Sequence, residues 1–426
     1  MRSVTLREYR MTSVPELTRD EVMALARIVP DLRVAPSATV SGAFDLTPGS
    51  WIGAVCLPGV EIQILPKIEL SRLLFLVSYA VDPASWQSSI QGFSHAESVC
   101  EAIAPAFVRM VAAATKRGLL HGYRTEEDSL LTVRGQIRFG DQLRRHLGLA
   151  PPIEVRFDEF SADILENQLL KAALRALSRM RLRSGEVARA LHEVWVAFEP
   201  VAAVEFDSRR IPEPTFTRLN RHYEPSVALA RLILKGCSFD LGAGRPPGTS
   251  FLLDMNEMFE AFLYRALLES LGVPDTVFRR GSSGLTLDEA TRVRLAPDLS
   301  WWHGSNCVFV GDAKYKRLDG AGFKHADLYQ LLAYATAANL DHGLLVYAAG
   351  EADPAAHKVR FAGIELLVAS LDLSGEPAQI LDAVGRIADG VRSKALANVR
   401  HANLALQEMQ PGGVEHEAIA RTELTP

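Results

Sequence analysis

Asp312 and Lys314 stand two residues apart at the end of the apolar run Cys307–Val310. That run is β-branched or aromatic, which predicts a buried strand. A spacing of two on a strand points both side chains to one face. Asp298, after Pro297, leads into the same small sheet from an adjacent strand, so two carboxylates and an ammonium can converge on one point. Carboxylate oxygens are what a hard divalent cation takes as ligands. The ammonium can orient or deprotonate an attacking water, or stabilise charge developing on a phosphate. A bare Asp-x-Lys is also what a solvated ion pair at a strand end looks like, and the tripeptide is common. Three further features favour chemistry: the upstream Pro-Asp, an acid-bearing helix before it, and a following helix carrying Gln330 and Tyr334. Those two are four apart and share one helical face.

The preceding helix, from Asp254 to Tyr264, has an apolar stripe of Met255, Phe259, Phe262 and Ala266. Asp254 suits its N-cap, and Glu257 the acid of a capping box. Glu260 borders the stripe beside Leu263 and Leu267, where an acid needs a partner. Glu260 is therefore the candidate third carboxylate on the metal side, with Glu257 the alternative. Arg279, Arg280, Arg292, Arg294, Lys316, Arg317 and Lys324 surround the motif in sequence and can contact phosphates. His303 and His325 read as exposed side chains rather than metal ligands.

Taken in order, several segments resemble McrC, the nuclease subunit of McrBC-type modification-dependent (type IV) restriction systems, within the PD-(D/E)xK superfamily. They are Met255-Asn256 with Phe259-Glu260, Pro297-Asp298, Asp312-Ala313-Lys314-Tyr315-Lys316 and the Asp327–Ala335 helix. Outside this part, Val133-Arg134-Gly135-Gln136-Ile137 is similar to a V-R-G-R-I element, with Gln136 in place of arginine. Asp158–Asp163 and Glu166–Lys171 resemble a D-E-F-S-x-D-x-x-E-N-x-x-L-K block, and Leu65-Pro66-Lys67 and Arg218–Tyr223 also fit. The resemblance spans roughly residues 50–350.

It implies a restriction-endonuclease-like core with Asp298, Asp312, Lys314, Glu260, Gln330 and Tyr334 as catalytic residues. Mg²⁺ would be held by Asp298, Asp312 and Glu260, with Mn²⁺ able to substitute. The implied substrate is double-stranded, modified DNA, with Arg292, Arg294, Lys316 and Arg317 as contacts. The implied partner is an AAA+ GTPase of the McrB type, and Arg134, Gly135, Asp158 and Asp163 are the candidate partner-binding residues. No G-x-x-x-x-G-K-[ST] phosphate loop occurs in this chain, so nucleotide hydrolysis falls to another subunit. Two alternatives stay open: a stand-alone or repair nuclease with the same core, and a non-catalytic adaptor that stimulates a GTPase.

The rest of the sequence must position these residues. A net charge of −5 gives no basic field over the whole chain, so DNA contact falls to a local patch or a partner. Cys56, Cys100, Cys237 and Cys307 form no CxxC pair, which argues against zinc or disulfide frameworks and for a reducing cytoplasm. No signal peptide is evident, and the most apolar run, Leu73–Val81, is too short to span a bilayer.

The expected fold is α+β and multidomain. Residues 1–100 read as a β-rich part running into helix, including strands Trp51–Leu57 and Val60–Lys67 around a Pro58-Gly59 turn. Residues 101–245 read as a mainly helical, partner-binding middle. It holds a hairpin-like piece from Tyr123 to Phe139 and a helix over Asp163–Arg183 broken by Ser184-Gly185. Residues 250–390 read as the nuclease core, and 391–426 as a C-terminal helix with a frayed tail. The Gly/Pro-rich stretch Gly242–Gly248 is the expected linker.

Overall fold

The computed structural model describes residues 2–84, 86–87, 98–146, 148, 151–180, 182, 184–240, 248–281, 284–315, 325–348 and 355–408. The chain divides into two units, Met1–Met258 and Phe259–Pro426.

The first unit opens with β1 (Arg2–Arg7) and β2 (Thr12–Val14), then α1 (Arg19–Ile28), β3 (Arg33–Pro36) and β4 (Phe44–Thr47). The start of α1 is fixed by a capping box in which Thr18 and Glu21 satisfy each other's backbone donors. Next come β5 (Trp51–Leu57) and β6 (Val60–Leu65), turned at Gly59, whose φ of +81° suits a residue without a Cβ. These are the two strands expected from the alternation around Pro58-Gly59. The helices α2 (Leu70–Val81) and α3 (Val99–Ala114) follow. Then come β7 (Gly122–Leu130), β8 (Gln136–Ile137), α4 (Phe139–Arg145) and β9 (Ile153–Ser161). The unit continues through α5 (Leu165–Ser178), α6 (Gly185–Ala197), α7 (Glu224–Gly236), β10 (Cys237–Asp240) and β11 (Gly248–Asp254).

Its main sheet runs β1-β6-β5-β11-β10. One face is closed by Val4, Leu6, Ile62 and Ile64 with Val22 and Leu25 of α1. Gly53 lets β5 and β11 approach closely, because a Cβ there would lie 1.9 Å from the carbonyl oxygen of Phe251.

Two expectations for this unit change. The piece Tyr123–Phe139 is not a hairpin: β7 pairs along its whole length with β9, and β8 pairs with the other edge of β9. Short-range alternation cannot reveal a partner about thirty residues downstream. Gly135 precedes β8 rather than lying within it; its φ is +73°, and a Cβ would come within 2.3 Å of the Arg156 carbonyl oxygen. The second change concerns the linker. Residues 241–247 lie outside the described residues, but the strands flanking them pair with each other, Cys237 opposite Phe251. The Gly/Pro-rich stretch therefore joins two strands of one sheet, and the unit boundary falls later, at Met258/Phe259.

The second unit begins within α8 (Met255–Leu271). Then come β12 (Phe278–Arg279), β13 (Leu299–His303), β14 (Asn306–Lys314), α9 (His325–Ala337) and β15 (His342–Tyr347). Among the described residues, β16 (Ala355–Lys358), β17 (Glu365–Ser370) and the long α10 (Pro377–Glu408) follow. The sheet order is β12-β13-β14-β15-β17-β16. The central strands β14, β15 and β17 are parallel, while β13 and β16 run antiparallel to their neighbours. Parallel neighbours need a crossover, and α9 supplies the one between β14 and β15. Gly343 lets that helix sit close, since a Cβ there would lie 2.9 Å from Leu331 of α9. This is the α/β core anticipated for the C-terminal part. Among the described residues, no helix is long and apolar enough to cross a membrane.

Candidate active site

The site sits where β13 begins and β14 ends. Leu299 pairs with Gly311, so the antiparallel register brings Asp298 opposite Asp312. Asp298 is fixed there by the backbone N–H of Ala313, which donates to its Oδ2 at 2.9 Å. Lys314 follows Asp312 on the same face. Its Nζ contacts Oδ2 of Asp312 and lies 3.9 Å from Oδ2 of Asp298. The two carboxylates and the ammonium predicted to converge do so.

Asp312 is 1% exposed, and its Oδ1 is buried with no hydrogen-bond partner among the described residues. Burial and the neighbouring Asp298 hold its carboxyl above the ordinary range, even with Lys314 beside it. Burial works to lower the Lys314 ammonium, but the carboxylates of Asp312, Asp298 and Asp327 outweigh it and raise its pKa. Lysine therefore stays charged here.

Glu260, on α8, faces Arg280 at 3.4 Å. Burial, then the charge of Asp298, pushes its pKa up to about 7, against the pull of Arg280 and Lys314. Glu260 thus belongs electrostatically to the same cluster. Glu257 does different work: it is half-buried and pairs with Lys235 at 2.7 Å. Asp254 closes β11 and caps α8, accepting from the N–H of Asn256 at 2.9 Å and from Ser50 Oγ at 2.8 Å.

On α9, Gln330 Nε2 donates to the Tyr334 hydroxyl at 2.6 Å, and that hydroxyl donates to the carbonyl of Ala296 at 3.3 Å. The pair therefore braces the backbone two residues before Asp298. Asp327, which sequence reasoning did not single out, is buried and accepts from the Tyr347 hydroxyl at 2.9 Å. Its signals in the sequence were its place one turn before Gln330 and at the head of the resembling Asp327–Ala335 segment. Among the described residues, no three His, Cys, Asp or Glu side chains are gathered closely enough to hold a metal ion. A hexacoordinate Mg²⁺ does not demand three, because it binds through one or two carboxylates plus substrate phosphates and water. Asp298 and Asp312 fit such an ion: they meet at one point, and Asp312 keeps an unsatisfied buried oxygen.

The remaining candidates fall elsewhere. Arg292 and Arg294 are exposed, shortly before Asp298 in sequence. Lys316, Arg317 and Lys324 lie outside the described residues. Arg134 lies over the Phe157 ring, 4.1 Å from its centroid, and 3.7 Å from Glu159. Asp158 accepts from Thr125 Oγ1 at 2.8 Å across the β7–β9 pair. Asp163 is spent internally. It accepts from Gln168 at 2.9 Å and the N–H of Ala202 at 2.8 Å, and pairs with Arg124. Burial opposes its charge, but these partners hold the carboxyl below the usual range.

The other motif residues of the first unit also act as staples. Asn167 donates to the carbonyls of Leu120 and Ala162, Asn220 donates to Glu166 at 2.9 Å, and Tyr223 accepts from the N–H of Leu120 at 2.9 Å.

Residues 46–348, more than two thirds of the chain, match the family described as McrBC 5-methylcytosine restriction system component. No curated protein matches. One similar solved structure is a refined half-complex from a tetradecameric assembly of Thermococcus gammatolerans McrB AAA+ hexamers with bound McrC. It is 17% identical with a TM-score of 0.53, over 91% of this chain and 100% of that one, which shows a shared fold. A cryo-EM structure of the Thermococcus gammatolerans McrBC complex is 20% identical with a TM-score of 0.41, over 65% of this chain and 89% of that one. The chain belongs to the McrBC 5-methylcytosine restriction system component family.

Proposed function

We propose that this chain is the DNA-cutting subunit of a McrBC-like restriction complex, hydrolysing phosphodiesters of modified duplex DNA in the cytoplasm beside an AAA+ GTPase. The observation that carries this reading is the meeting of Asp298, Asp312 and Lys314 at one end of the second unit's sheet. Asp298 and Asp312 would hold Mg²⁺ or Mn²⁺ together with water and substrate phosphate, while Glu260, paired with Arg280, is not gathered with them closely enough to be a third ligand. When bound, the ion supplies Lewis acidity toward the scissile phosphate and acidifies its bound water. Lys314, kept charged by three carboxylates, orients the attacking water and opposes charge developing on the phosphate. Gln330 and Tyr334 hold the Ala296 carbonyl and thereby the approach of Asp298. The partner assignment draws on what the Thermococcus neighbour is described as, McrC bound to McrB AAA+ hexamers.

The test is cleavage of methylated and unmethylated plasmid by the purified chain with its AAA+ partner, GTP and Mg²⁺. Cutting confined to methylated plasmid, and only with all components, supports the reading. Equal cutting without the partner favours a stand-alone nuclease, and no cutting with GTPase stimulation favours an adaptor.

A second expectation concerns the helix acids. Glu260→Gln should impair cleavage more than Glu257→Gln. Glu260 also makes stability depend on pH. Because Glu260 has a folded pKa raised to about 7, the folded chain binds that proton more tightly than the unfolded chain. Its contribution therefore favours folding below its ordinary value of 4.5 and is lost as pH rises through about 7. Glu260→Gln should raise the Tm at pH values well above 7 and leave it unchanged near pH 4. Matching melting curves for wild type and Glu260→Gln across that range would remove Glu260 from the cluster.

A further inference from the structure

Between Gly284 and the Pro297-Asp298 step the second unit carries a small two-stranded ribbon that the catalytic reading leaves unused. Its register is fixed by backbone bonds: Leu287 N–H to the Val293 carbonyl and Leu295 N–H to the Leu285 carbonyl, both 2.9 Å, with Thr286 bridging Arg294. Asp288 closes the tip, its Oδ1 accepting from the N–H groups of Arg292 at 3.0 Å and Val293 at 2.7 Å. Thr291 takes the left-handed conformation the turn requires, at φ +57°.

Strand alternation sorts the ribbon into two faces. Leu285, Leu287, Val293 and Leu295 share one, and Thr286 and Arg294 the other. At the root the apolar face is anchored, with Leu285 buried and Leu295 packed against the cluster around Val310 and Leu345. Toward the tip the same face emerges into solvent, where Leu287 is 48% and Val293 47% exposed. Arg292 and Arg294 are also exposed, and no described acidic side chain pairs with either. Single exposed apolar residues need no explanation. A directly opposed apolar pair on a braced tip, flanked by two uncompensated arginines, is a different arrangement.

Leu295, at the root of the ribbon, lies three positions before Asp298, a span of at most about 10 Å. A duplex whose phosphate is held at Asp298 and Lys314 would lie next to the root of the ribbon. The major groove of B-DNA, about 12 Å wide, admits a two-stranded β-ribbon. Arginine suits the anionic strands, and an aliphatic pair suits the pyrimidine C5-methyl groups within the groove.

We propose that the ribbon Leu285–Leu295 inserts into the major groove of duplex DNA beside the cleaved bond. Arg292 and Arg294 neutralise phosphates, and Leu287 and Val293 pack on base edges. The inference rests on the reading of this unit as a DNA nuclease.

Salt dependence separates the two contributions, because only phosphate neutralisation releases counterions. The experiment titrates full-length chain against a fluorescent methylated duplex in metal-free buffer over a series of salt concentrations. Arg292→Ala/Arg294→Ala should flatten the slope of log affinity against log salt by about 2, near 0.9 per lost phosphate contact. Leu287→Ser/Val293→Ser should weaken binding roughly tenfold at every salt concentration with the slope unchanged. All four positions are exposed, so both variants should melt as wild type does. A tip variant that binds as wild type overturns the groove insertion. So does one that binds DNA normally but no longer assembles with the AAA+ protein, which makes the ribbon a protein contact. A wild-type chain that binds no duplex defeats the nuclease reading itself.

Discussion

Asp312→Ala and Asp298→Ala should each abolish DNA cleavage while the chain still folds and still assembles with its partner. Both residues sit where strand register forces two carboxylates together, and burial with mutual repulsion raises the Asp312 pKa. A divalent cation bound there would relieve that repulsion, so removing one carboxylate would remove the ion's hold. Without the ion, water activation and phosphate charge stabilisation are lost together. The expected fall is about a thousandfold or more, since several kcal/mol of barrier lowering are at stake and about 1.4 kcal/mol is a factor of ten. Folding should survive because Lys314 keeps Asp298 or Asp312 as a counter-charge in each variant. Metal should raise the Tm of wild type, by binding only the folded state, and should not raise that of Asp312→Ala. Full cutting by either purified variant would place the chemistry elsewhere.

How much of this was legible in the sequence differs between the two units. Asp298, Asp312 and Lys314 were legible because each lies on or beside a strand, and period-two alternation dictates the face. Glu260 was separable from Glu257 because helical angle places one at the edge of the buried stripe and leaves the other outside it, where it meets Lys235. The pairing of β7 with β9 was not legible, because hydrogen-bond partners about thirty residues apart leave no mark in local periodicity. Neither was the role of Gly242–Gly248. A Gly/Pro-rich stretch looks the same whether it joins two domains or two strands of one sheet. Asp163 shows a further limit: an acid beside a predicted helix reads as solvated or partner-facing. Its three internal donors come from Gln168, the N–H of Ala202 and Arg124, and two of these lie about forty residues away.

The placement of β11 governs where the protein can be divided to test its division of labour. A fragment ending near residue 245 would lack β11, which hydrogen-bonds β5 on one side and β10 on the other and buries Phe251, Leu252 and Leu253. That fragment should not fold. Residues 1–258 keep the whole five-stranded sheet and every motif residue of the first unit. Residues 255–426 keep all of α8, the ribbon and the three residues at the site. The exposed candidates for partner contact lie in the first unit, on the sheet β7-β9-β8. There Tyr123 is 78% exposed and Phe160 60%, and Arg134 lies over Phe157. An arginine presented to a neighbouring GTPase can raise its turnover by roughly 10³-fold or more, and Arg134 is the candidate here. The expected result is that residues 1–258 stimulate GTP turnover of the AAA+ partner as full-length chain does, yet cut no DNA, and that Arg134→Ala within them reduces the stimulation at least about tenfold. Residues 255–426 alone should not stimulate. Stimulation by the second fragment only would move the coupling surface onto the catalytic unit, and stimulation by neither would require both units to act on the motor together.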